Sequence, residues 1–184
     1  MRLFVAIFPD AEVIEHVSAF ADGLAIGRAA AGGVNTRRLA PDMLHVTLAF
    51  IGEVPDKKRA GAELATAEAA AVLAPAGLRL RGGGSFGPVL WTGVSGPVGA
   101  PAVAIRRALT RHRVPYDQRK FRPHLTLGRP GDRIPLADFE DDVERLGGYE
   151  SPEWTVGSLE LVGSVTGPQT RYEILGSWPF GRTG

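Results

Sequence analysis

Leu44-His45-Val46-Thr47-Leu48-Ala49-Phe50-Ile51-Gly52 is an apolar run closed by glycine, and Phe121-Arg122-Pro123-His124-Leu125-Thr126-Leu127-Gly128-Arg129 echoes it later in the chain. Both stretches have the composition of β-strands. Side chains in a strand alternate between faces, so His45 and Thr47 point one way and Leu48 the other, and His124, Thr126 and Leu127 repeat the arrangement. Each strand therefore presents one imidazole and one hydroxyl together over an apolar underside. One such strand alone would be an ordinary surface strand carrying a β-branched threonine. Two of the four histidines in the chain sharing the pattern His-apolar-Thr-Leu make the pairing informative.

Outward from these motifs, the chain alternates strands and helices. Leu3 to Phe8 reads as a buried strand, and Pro9-Asp10 as the start of a helix carrying Val13, Val17, Phe20 and Leu24 on one side. The stretch from Ala29 to Gly33 breaks that pattern. A second helix is expected from Pro55-Asp56 to Leu73, then a hairpin of Leu78–Arg81 and Val89–Val94 across a turn at Gly82–Pro88. A helix over Ala100–His112, a basic loop, the second motif strand and a short acidic helix over Leu136–Leu146 follow. Thr155–Val162 and Arg171–Leu175 close the chain as two strands around a turn at Thr166-Gly167-Pro168-Gln169. This order fits an α+β fold better than a doubly wound parallel sheet. With one motif in each half, two similar lobes are expected within a single domain over residues 1–184.

The composition narrows the chemistry. At 184 residues, 44% hydrophobic and 22% charged, the chain can bury a core unaided, and no run is long enough for a membrane span. The absence of cysteine removes disulfides, thiolate zinc sites and thiol nucleophiles, and a cytoplasmic location is the simplest expectation. A net charge of +1 excludes non-specific coating of nucleic acid, so any such contact is local. Gly82-Gly83-Gly84-Ser85-Phe86-Gly87 matches a dinucleotide-binding string, but a strand rather than a helix follows it. His16 and His112 read as structural or solvated. Threonine is a poor zinc ligand, so no metal site is expected at the motifs.

Histidine suits both acid and base roles near neutral pH, and threonine hydroxyls can donate to non-bridging phosphate oxygens. Opening a cyclic phosphodiester needs one base for the attacking water and one acid for the departing oxygen, on opposite sides of phosphorus. The motifs are chemically near-identical, so the residues alone leave open which imidazole gives and which takes. Arg111, Arg113, Arg119, Lys120 and Arg122 gather before the second motif and Arg37-Arg38 precede the first, as solvated loops or as a track for an RNA backbone. Phe121 and Trp91 are core residues or base-stacking platforms.

Over nearly its whole length the chain resembles the two-histidine (2H) phosphoesterases, and among them the bacterial and archaeal RNA 2′,3′-cyclic phosphodiesterases, also called 2′-5′ RNA ligases. Arg2-Leu3-Phe4-Val5-Ala6-Ile7, residues 44–52, Val89-Leu90-Trp91-Thr92-Gly93 and residues 121–129 carry the resemblance. It implies two pseudo-symmetric antiparallel-sheet lobes packed with helices, with the active-site cleft between the sheets. It implies metal-independent, cofactor-free hydrolysis of an RNA or nucleotide 2′,3′-cyclic phosphate to a 2′-phosphomonoester, with reversible 2′-5′ RNA ligation as a secondary capacity. His45 is then the proton donor and His124 the acceptor, with Thr47, Thr126 and Arg129 on the phosphate. Phe121, Trp91, Arg122 and Arg38 are candidates for base or RNA contact, and the protein is expected to act as a monomer. The first motif departs from the second in having Phe50 and Ile51 where no arginine matches Arg129. The rival readings are a phosphodiesterase for another small cyclic or 2′-5′ linked nucleotide, and a nucleotide or RNA-end binding module without turnover.

Overall fold

Val46, Leu48, Leu125 and Leu127 are each at most 2% exposed, while His45, Thr47, His124 and Thr126 between them are only half-buried. Burying each of these four apolar side chains is worth about 1.5–3 kcal/mol, and a one-residue slip would turn all of them to the other face. That cost fixes the register on which the rest of the sheet is built.

The computed structural model describes residues 1–165 and 170–181. In chain order the elements are β1 (Arg2–Ile7), α1 (Ala11–Asp22), α2 (Ala25–Ala31), a 3-10 turn at Pro41–Met43, β2 (Val46–Glu53) and α3 (Asp56–Ala71). Then come β3 (Ala76–Phe86), β4 (Val89–Ser95), α4 (Gly99–Arg111), β5 (His124–Gly128), α5 (Leu136–Gly147), β6 (Glu150–Val156), β7 (Ser158–Val165) and β8 (Arg171–Pro179). The strands form an eight-stranded antiparallel sheet in the order β6-β3-β4-β5-β2-β1-β7-β8. The expected α+β fold is therefore present, and its two lobes are the four-stranded halves of this sheet. In each half the motif strand is innermost, and its outer neighbour is the strand that precedes it across a helical connection: β1 for β2, β4 for β5. The halves meet along a short seam where β2 and β5 pair at Val46↔Leu125.

The connecting helices cross between halves. α4 leads from β4 to β5 yet packs against β2 and α3, and α1 leads from β1 to β2 yet reaches β6. A short seam is thereby held closed by helices that each belong to one half and lie against the other. Asp10 caps α1 by accepting from the Val13 N–H, as the Pro9-Asp10 start predicts.

The structure corrects the sequence reading in three places. Ala25–Ala31 is helical, because the break falls at Gly23-Leu24 and Asp142 of α5 accepts from the Ala25 and Ile26 N–H groups at 2.6 and 3.0 Å. The hairpin turn is only Gly87-Pro88, and Gly82–Phe86 belongs to β3. Its glycines serve close packing: a Cβ on Gly83 would sit 2.5 Å from the Trp91 carbonyl oxygen, and one on Gly84 would meet the Trp91 indole at 3.2 Å. Finally, the single strand expected over Thr155–Val162 is two, β6 and β7, divided at Gly157. β6 is an edge strand, where Pro152 is tolerated. The turn expected at Thr166–Gln169 lies outside the described residues. Among the described residues, no helix is long and apolar enough to cross a membrane.

Asp142 is fully buried, and its removal would orphan two buried N–H groups. Asp142→Ala is expected to lower unfolding free energy by about 1–3 kcal/mol, measured by urea denaturation. A loss within error of zero would show that α2 does not depend on this cap.

Candidate active site

Antiparallel pairing counts outward from Val46↔Leu125, so on the opposite face Thr126 stands across from His45 and Thr47 across from His124. The two imidazoles then occupy one diagonal of a four-residue patch, a position for which ordinary sheet geometry sets the residues about 7–8 Å apart. That gap suits a phosphate group between two rings. Strand alternation alone therefore brings together the four residues singled out from the sequence.

Both rings are fixed in the same way. His45 Nδ1 donates to the Met43 carbonyl at 2.7 Å, and His124 Nδ1 donates to the Arg122 carbonyl at 2.7 Å. A carbonyl only accepts, so in the neutral ring the proton sits on Nδ1 and Nε2 is left basic. His45 Nε2 lies 3.1 Å from the Thr47 hydroxyl, which donates to it when the ring is neutral.

The surroundings of the two rings differ. Phe4 stacks on His45 with centroids 4.8 Å apart, Tyr172 meets it edge-on at 5.3 Å and Phe8 lies at 5.7 Å. Burial among these rings pushes the His45 pKa below its ordinary value; the bond to Met43 pushes back upward, and the charge of nearby His124 lowers it further. His124 has Phe86 edge-on at 5.1 Å, and Phe86 in turn stacks on Trp91 at 4.7 Å.

A cleft of about 640 Å³ opens over the motifs, lined by Thr47, His124, Thr126 and Arg129 together with Phe50, Phe86, Arg106, Asp117, Arg119, Lys120, Phe121 and Arg122 among others. His45 is not among the lining residues; it meets the cleft through Thr47, whose hydroxyl is 3.1 Å from its Nε2. Of the further residues named from the sequence, Arg129, Phe121 and Arg122 reach the cleft. Trp91 does not line it: the indole lies over Gly84 and behind Phe86, with its Nε1 buried and unpartnered. Arg38 does not line it either, being paired with Asp22 at 2.6 Å and bonded to the Ser18 carbonyl. Among the described residues, no three His, Asp or Glu side chains gather where they would hold a metal ion.

Sequence reasoning missed Phe86, Phe50 and Arg106. Arg106 donates to the carbonyls of Leu48 and Arg119 at 3.3 and 2.9 Å, and its guanidinium lies 5.7 Å from the rings of both Tyr116 and Phe121. It ties the basic loop to the first motif strand. Nothing in a helical arginine signals that role. Phe86 was hidden by the reading of Gly82–Pro88 as a turn; in the structure it lies two residues beyond Gly84, whose β4 partner Trp91 pairs with Thr126.

A sequence profile described as the 2′-5′ RNA ligase superfamily matches residues 9–168. A protein of Geobacillus stearothermophilus named RNA 2′,3′-cyclic phosphodiesterase is 30% identical over 152 residues, covering 76% of this chain and 48% of its own length, so the chain spans about half of that relative. One of Archaeoglobus fulgidus with the same name is 29% identical over 176 residues, covering 92% of this chain and 94% of its own. Among solved structures, E. coli LigT complexed with 3′-AMP aligns over 98% of both chains with a TM-score of 0.75 and 25% identity. TT0787 of Thermus thermophilus shares the fold, with a TM-score of 0.79, 24% identity and 98% of both chains covered.

The His45 pKa is expected below 6.5 when followed by NMR titration of the imidazole. Phe8→Ala, which admits water to one side of the ring, should move it upward. A value at or above 6.5 in the unsubstituted protein would contradict the desolvated site.

Proposed function

This chain belongs to the 2′-5′ RNA ligase superfamily, and from that premise we propose that it hydrolyses the 2′,3′-cyclic phosphate of an RNA end or nucleotide to a 2′-phosphomonoester, using paired histidines and no metal ion. The observation that carries the reading is the shared state of the two rings: each has Nδ1 committed to a backbone carbonyl two residues before it, and the register of the seam sets both side chains on one face. The named relatives support the substrate class.

In this mechanism the cyclic phosphate lies between the rings, with the Thr47 and Thr126 hydroxyls and Arg129 on its non-bridging oxygens. His124 Nε2 accepts a proton from water as the new O–P bond forms. The bond from phosphorus to the 3′ oxygen breaks, and that oxygen takes a proton from His45 Nε2, leaving a 2′-phosphate and a 3′-hydroxyl. Proton exchange with solvent resets both rings. A 5′-hydroxyl in place of water gives a 2′-5′ linkage as a secondary activity. Burial disfavours the protonated His45 that donation requires, so the bound phosphate anion also acts on the acid, raising the His45 pKa and loading the ring when substrate is present. Action as a monomer is part of the proposal. A cytoplasmic setting is part of the same proposal, as the cysteine-free composition first suggested.

The test is hydrolysis of 2′,3′-cyclic AMP in excess EDTA, followed over pH. A bell-shaped profile is expected, and His45→Ala and His124→Ala should each cost about 10²–10⁴ in rate with unchanged circular dichroism. Thr47→Ala and Thr126→Ala should cost less. The His45 limb should fall at higher pH in kcat than in kcat/KM, since kcat reports the phosphate-bound enzyme. Loss of activity on chelation would point to a metal enzyme; tight binding without turnover would point to a binding module.

A further inference from the structure

Helix α4 carries a second surface with the character of a nucleic-acid subsite. Val103, Arg106, Arg107, Thr110 and Arg111 recur at intervals of three and four, which sets them on one face of α4, while Ala102, Ile105, Ala108 and Leu109 are buried on the other. With Tyr116 they line a groove of about 420 Å³. Its lining surface is mostly apolar, and three of its six lining residues are arginines. Arg106 lines both this groove and the catalytic cleft, so the two adjoin at one side chain.

The three arginines are not equivalent. Arg106 is held between two carbonyls and two rings, and Arg111 is paired with Glu68, which also bonds His112. Arg107 is exposed, and among the described residues it has no ion pair or hydrogen bond. In a chain of net charge +1, a row of arginines beside the cleft with one free cation is a local concentration of positive charge rather than a general basic excess.

We propose that this groove receives the RNA strand on the 5′ side of the terminal cyclic phosphate, with a base or ribose against the apolar lining and a backbone phosphate at Arg107. The inference rests on the proposed cyclic phosphodiesterase reading and adds a substrate preference to it: an oligoribonucleotide end over a mononucleotide. Stacking surface beside a cation is how single strands are held without sequence readout. The path from the cleft runs over the Arg119-Lys120 loop, which Arg106 anchors.

The test compares the unsubstituted protein with Arg107→Glu and Arg107→Ala, both at an exposed site. One substrate is 2′,3′-cyclic AMP, and the other is a short oligoribonucleotide ending in the same cyclic nucleotide. The advantage of the oligonucleotide in kcat/KM should shrink about three- to tenfold in Arg107→Glu and less in Arg107→Ala, and the salt dependence should weaken by about one counterion. Fluorescence anisotropy with a labelled oligonucleotide ending in a 2′-phosphate reads the same contact without turnover. Lost binding in Arg107→Glu supports the groove even if the unsubstituted protein hydrolyses neither substrate, an outcome that would overturn the catalytic reading alone. Unchanged anisotropy together with an unchanged substrate ratio would overturn the groove, and so would a loss shared equally by both substrates.

Discussion

Everything at the site depends on a seam that is short by the standards of sheets. The described pairing between β2 and β5 rests on Val46↔Leu125, two residues with no exposed surface. Burial of that pair and of Leu48 and Leu127 sets the register. Register sets the face, and the face delivers two imidazoles and two hydroxyls to one patch. A longer seam would close the two halves into a flatter surface, whereas a weaker one would let them part. The crossing of α1 and α4 to the opposite halves supplies the stiffness that so few ladder bonds do not.

Similar motifs in similar halves do not make equivalent half-sites. His45 lies among Phe4, Phe8 and Tyr172, drawn from β1, the loop after it and β8, while His124 sits beside Phe86 at the open side of the cleft, with Arg122 and Arg129 nearby. The buried ring resists protonation, so its charge depends on what anion is next to it. Local sequence made the motifs look interchangeable. The strands packed around them break the symmetry.

This contrast also explains what the sequence revealed. Alternation over a few residues is a local signal, so His45, Thr47, His124 and Thr126 were legible, as was the Asp10 cap. The α+β order was legible because helical and strand periodicities differ. The glycine run at Gly82–Gly84 misled, since glycine marks close backbone approach as readily as a turn, and the contacts that demand it come from Trp91 on the partner strand of the hairpin and from Leu146 on the distant helix α5. Asp142 capping α2 from α5, the aromatic surround of His45 and Arg106 bracing the basic loop are likewise products of tertiary contact. The ion pair of Arg38 with Asp22 was not legible for the same reason: Asp22 lies on a helix whose position no local pattern reports.

The absence of an arginine after the first motif now has a structural counterpart. Phe50, at the position following Leu48-Ala49, lies at the rim of the cleft with 43% of its surface exposed, and its carbonyl accepts from the Asp117 N–H at 2.8 Å. The first motif thus ends by fastening the basic loop instead of supplying a cation of its own. Arg106 fastens that loop again through the Leu48 and Arg119 carbonyls. Positive charge reaches the first half of the cleft from the second half, on a loop that the first motif strand holds in place. A protein of nearly neutral net charge can present a concentrated cationic edge to an anion in this way without a basic surface elsewhere.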